Sequence, residues 1–126
     1  MMRLTRSPAT FAVLLLAGAC SSSLAPVNIG GVVARVDDGQ LIVRNGTDRP
    51  VFTFAIGREV ATRTDWIICA DPDRCDPLAS GATRRTPLSQ IMGGDEPELQ
   101  LSWWHGVATP NGWGWDSVRT AVVKTR

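Results

Sequence analysis

The chain has 126 residues, with thirteen Lys and Arg against twelve Asp and Glu and a net charge of +1. A near-neutral balance without a basic block excludes the electrostatic footprint of a nucleic-acid binder, and the length suits one domain with a core of its own. Five tryptophans, no tyrosine and three cysteines are its compositional departures.

Residues 1–6 carry Arg3 and Arg6 and no acid, and 9–18 are almost wholly apolar, with FAVLLLA at their centre. A basic start, an apolar run of roughly 7–15 residues and small residues before a cut mark a secretory signal peptide. The run falls short of the about 20 residues a bilayer crossing needs. Leu16-Ala17-Gly18-Ala19-Cys20 resembles the lipobox of bacterial lipoproteins, with Ala17 where leucine is usual. The resemblance implies cleavage before Cys20, a diacylglycerol thioether on its sulfur and a further acyl chain, such as palmitate, on the freed amine. Each buried methylene contributes about 0.8 kcal/mol, and two or more chains anchor stably. Ser21, where Asp often retains such proteins in the inner membrane, implies the outer membrane. Ordinary signal-peptidase cleavage near Ala19 is the alternative.

This divides the chain into a signal peptide (1–19), a lipidated cysteine with a flexible tether (20–29) and a folded domain (30–126). Ser21 to Asn28, SSSLAPVN, is small and polar and reads as the tether. Without its first 19 residues the chain keeps 107, with eleven basic residues against twelve acidic.

Strand signals follow one another from there. Val32 to Val36 alternates, and Asp37-Asp38-Gly39 is a turn. Leu41 to Arg44 is rich in strand formers, and Asn45 to Pro50 breaks it. In Val51 to Ile56 a period of two puts Phe52, Phe54 and Ile56 on one face. Thr64 to Cys69 is a further apolar run, and Ala70 to Leu78 a loop rich in Pro and Asp. Ala82 to Ile91 is weakly patterned, with Arg84 and Arg85 on opposite faces. After the Gly93 to Pro97 break, Glu98 to Trp104 puts Leu99, Leu101 and Trp103 on one face and Trp104 on the other. His105 to Gly114 reads as a loop and Trp115 to Lys124 as the last strand.

About seven short strands spaced by turns, with no helical apolar stripe, predict an all-β antiparallel sandwich. Leu41-Ile42-Val43-Arg44-Asn45, Arg49-Pro50-Val51-Phe52 and Leu78 to Thr83 look like the cadence of bacterial immunoglobulin-like domains. That resemblance implies an immunoglobulin-like β-sandwich; a small barrel is the competing architecture.

Several side chains are candidates for chemistry. Cys69 and Cys75 are an even pair in an exported chain and read as a disulfide. Their spacing is not that of a redox CxxC, and a zinc site would need more ligands than His105 supplies. Asp71, Asp73 and Asp76 evoke a calcium loop, but the sixth-place Gly and the closing Glu of an EF-hand are missing, so no metal is expected. Trp104, by parity on the face opposite Trp103, and Trp113, in a Gly-rich setting, are with His105 the candidates for a partner or glycan surface; the alternative is that the rings pack over an open sheet edge or cover their own loop. His105, the single histidine, is expected to be a partly exposed loop residue, with Asp116 across the hairpin as its one conceivable acid partner. Phosphate-cradling Gly loops, HExxH and GxSxG are missing. The expectation is a non-catalytic, cofactor-free binding or structural module of the bacterial envelope. Its acylated Cys20 would hold it to membrane lipid, facing the periplasm or the cell surface, with an envelope protein or a glycan as partner. The rival is a proteinase inhibitor presenting the braced loop Asp71 to Asp76.

Overall fold

The computed structural model describes residues 24–126. The signal peptide and Cys20 lie outside the described residues. Nine strands form: β1 (Val27–Ile29), β2 (Val32–Asp37), β3 (Gln40–Asn45), β4 (Phe52–Gly57), β5 (Thr83–Pro87), β6 (Glu98–Trp104), β7 (Gly106–Thr109), β8 (Gly112–Trp115) and β9 (Arg119–Lys124). One turn of helix, α1 (Arg58–Ala61), and a 3-10 turn, Leu88–Gln90, are the other elements among the described residues. The strands make a four-stranded sheet in the order β1-β2-β3-β5, a three-stranded sheet β4-β6-β9 and a hairpin β7-β8, with every pairing antiparallel.

The expected sandwich-like all-β architecture is present. β2 pairs with its sequence neighbours β1 and β3, and a tight turn sets the second of these pairings. Asp38 and Gly39 both have positive φ, 51° and 72°, between the paired residues Asp37 and Gln40. That two-residue turn has the twist that closes a tight hairpin.

Alternation places the main core between the sheets. Val32, Ala34, Val36, Leu41 and Val43 of the four-stranded sheet meet Leu99, Leu101, Trp103 and Val123 of the other. The tether boundary moves as a result. Leu24 and Val27 pack against this core, and Val27–Ile29 is a strand, not part of a flexible linker. β1 lies beside β9 as well as β2, and the Ile29 carbonyl accepts a hydrogen bond from Trp103 Nε1 at 3.1 Å. β1 runs toward the end of the sandwich that carries β7-β8. The chain before it therefore enters at the opposite end, beside the Asp38–Gly39 turn.

Two other expected boundaries change. Thr64 to Cys69 forms no strand. It crosses the outer face of the three-stranded sheet, where Trp66 and Ile68 pack on Phe54, Phe52 and Trp104. Its apolar side chains are used for face-to-face packing, and its backbone joins no ladder. The expected loop after His105 is instead the β7-β8 hairpin, turning at Pro110 and Asn111.

Candidate binding site

On the outer face of the three-stranded sheet Trp104 takes the packed alternative and is no part of an exposed surface. Parity does turn it away from Trp103, yet it is 3% exposed. Segment 66–75 covers it: Trp66 stacks on it at 5.6 Å, and its Nε1 donates to the Cys69 carbonyl at 2.9 Å. The face opposite the main core is a second core, and Trp104 is part of its packing.

Trp113 is exposed, at 45%. In β8 it shares a face with Trp115, 49% exposed, because side chains two apart in a strand point the same way. Their cross-strand partners on β7 are Ala108 and Gly106, too small to cover an indole. Ile67, 92% exposed, lies with Trp113 and Trp115 around one open depression. Trp115 and Ile67 were missed: alternation pairs Trp115 with Trp113 and sets Ile67 opposite Trp66 and Ile68, but does not tell which side meets water.

The Cys69–Cys75 disulfide is formed, with Cα atoms 6.3 Å apart. It closes a compact turn. Asp71 Oδ1 accepts the Asp73 N–H at 2.9 Å, and the Asp71 carbonyl accepts the N–H groups of Arg74 and Cys75. Asp76 pairs with Arg84 at 3.2 Å. These carboxylates serve the turn and an exposed ion pair, and among the described residues no cluster of three His, Cys, Asp or Glu could hold a metal. Changing Cys75→Ser should destabilise the domain by about 2.4 kcal/mol, the chain-entropy value for a loop of about seven residues. A thermal melt should then fall by roughly 10–20 °C; an unchanged melt would mean that the turn holds without its bridge.

His105 departs from expectation. It is 5% exposed, not a partly exposed loop residue. Its ring meets Trp103 edge-on at 5.3 Å, and its Nδ1 lies 2.9 Å from the Pro50 carbonyl. A carbonyl only accepts, so Nδ1 carries the proton of that bond. Asp116 does not touch the ring. Its Oδ1 accepts the backbone N–H of His105 at 2.9 Å, and its other oxygen lies 3.5 Å from Arg119. Asp116 therefore closes the base of the β7-β8 hairpin and pins His105 where β6 ends.

These elements converge on one cavity of about 220 Å³. Phe52, Ala70 and Gly106 line it with His105; Pro72 and Pro77, from either side of Cys75, face Pro50 and Trp113; Arg49 borders it. Trp113 is the wall shared with the open depression of Ile67 and Trp115. Two of the sequence-predicted site residues, His105 and Trp113, thus meet, together with the disulfide-braced loop. Trp104 does not join them. Arg49 and the three prolines were missed, because nothing in their local sequence separates a cavity wall from a turn.

No family model, curated protein or solved structure matches this chain, so its site is read from its own geometry.

Proposed function

We propose that the chain is a lipid-anchored envelope protein whose sandwich is a non-catalytic binding module, with the Trp113 face and the adjoining cavity as its ligand surface. One observation carries the binding half. The fold buries Trp103 and Trp104 yet leaves Trp113, Trp115 and Ile67 exposed around a concavity. Large apolar side chains grouped in this way on a rigid scaffold mark an interaction site. The Leu16 to Cys20 resemblance supports the anchoring half.

Intact-mass and N-terminal peptide measurements on protein made in a bacterial host test the anchor. The expected mature form begins at Cys20, carries diacylglycerol and partitions into detergent. A Cys20→Ala change should leave an unacylated precursor. A wild-type chain that retains its leader, or that starts with an unmodified residue, would remove the anchoring half of the reading.

A further inference from the structure

We infer that the cavity beside Trp113 takes a single aromatic ring that bears a carboxylate and a hydroxyl or N–H donor. The inference rests on the reading of the domain as a binding module, and is independent of the lipid anchor.

Size sets the first limit. A cavity of about 150 Å³ holds a benzene ring, and drug-sized ligands occupy about 300 Å³ or more. The observed 220 Å³ has room for one ring with a short substituent, and its open mouth leaves anything longer outside.

The walls set the second. Phe52, Trp113, Pro50, Pro72 and Pro77 present ring faces and C–H groups with almost no hydrogen-bonding capacity. A sugar carries hydroxyls around its whole rim. In such a cavity most of them would lose water without gaining a partner, at about 1–3 kcal/mol each. An aromatic ring loses nothing of that kind and stacks favourably on an indole.

Two polar groups then orient the ring. Among the described residues no buried side-chain nitrogen or oxygen lacks a hydrogen-bond partner. Among the described residues His105 Nε2 makes no hydrogen bond, so it keeps some exposure although the residue is 95% buried, and His105 lines the cavity. With Nδ1 committed to Pro50, Nε2 of the neutral ring offers a lone pair to an O–H or N–H donor. Arg49 borders the same space and makes no ion pair among the described residues. Its planar fork of donors matches a carboxylate. A donor at one end and a negative charge at the other describe a phenolic or indolic acid. The same chemistry occurs in a free aromatic acid and in a peptide that ends in Tyr or Trp.

Titrations of the full chain in detergent, followed by the indole N–H resonance of Trp113, test this. The probes are 4-hydroxyphenylacetate, its uncharged amide, phenylacetate, and Gly-Gly-Gly-Tyr with a free or an amidated C-terminus. The free acid should bind about tenfold more tightly than its amide, the scale of one charge-assisted hydrogen bond. Arg49→Gln should erase that preference. His105→Asn keeps a donor for Pro50 but removes Nε2, and should erase the preference for the phenol over phenylacetate. If Gly-Gly-Gly-Tyr outbinds the small acid only when its terminus is free, a peptide end is the source; the reverse order indicates a free metabolite. No displacement of the Trp113 signal by any acid up to about 10 mM, a range that would detect even millimolar affinity, overturns the inference. Displacement by a neutral oligosaccharide instead would overturn it too, while leaving the binding-module reading in place.

Discussion

Replacing Asn45 by leucine is expected to destabilise the domain by about 4 kcal/mol, a large part of the 5–15 kcal/mol that holds a domain of this size. Asn45 is fully buried at the end of β3 and uses both halves of its amide. Its Nδ2 donates to the carbonyls of Arg49 at 2.7 Å and Leu78 at 2.9 Å. Its Oδ1 accepts the Thr47 N–H at 2.9 Å and the Thr47 hydroxyl at 2.6 Å. Leucine has the same branching, is bulkier, and satisfies none of these groups. Each polar group left buried without a partner costs about 1–3 kcal/mol. The same side chain shapes the turn that delivers Arg49 and Pro50 to the cavity, so loss of the Trp113 binding signal should accompany the loss of stability. Asn45→Asp is expected to be comparably damaging at neutral pH, because an ionised oxygen would face two carbonyl oxygens. Urea unfolding measures both. A leucine variant within about 1 kcal/mol of wild type would show that water replaces the amide at little cost.

Removing the Trp103 ring should be as severe. Trp103 is 1% exposed, and it ties four parts of the molecule together. It packs in the main core, donates to Ile29 of β1, meets the His105 ring, and lies under the Arg119 guanidinium at 4.4 Å. Trp103→Ala should lower stability by about 3–5 kcal/mol, since the space cannot collapse between two sheets. Trp103→Phe keeps most of the packing and loses the bond to Ile29, for about 1–2 kcal/mol. Hydrogen exchange should show β1 released first in the alanine variant, because the ring ties β1 to the second sheet. Unchanged protection at Val27 to Ile29 would argue that Leu24 and the β2 pairing hold that strand unaided.

Much of this framework was legible in the sequence because it depends on alternation. Leu99, Leu101 and Trp103 faced the core as their parity required. Alternation reports which side chains share a face, but not whether that face meets water. For Trp104 both outcomes stayed open for that reason: segment 66–75, remote in sequence, lies over it. His105 was misjudged because the chain beyond it turns back as a hairpin, and Gly at every second place of Gly112-Trp113-Gly114-Trp115 hides a strand from any apolar pattern. Asn45 read as a turn former, which it is, but one of its partners is Leu78, 33 positions away. The cavity was legible only in parts. His105, Trp113 and the cysteines each stood out alone, whereas the contact between His105 and Pro50 spans 55 positions and has no local signature.

The entry of the chain beside the Asp38–Gly39 turn decides how the molecule would stand on a bilayer. Only Ser21, Ser22 and Ser23 separate Cys20 from Leu24, which is already packed in the sandwich. Four residue steps reach at most about 14 Å, while six residues of strand rise about 20 Å. With Cys20 acylated, the Leu24 end of the domain would stay near the headgroups, and the tryptophan hairpin would be the end free to face away from them. A ligand of the cavity would then have an approach from the aqueous side.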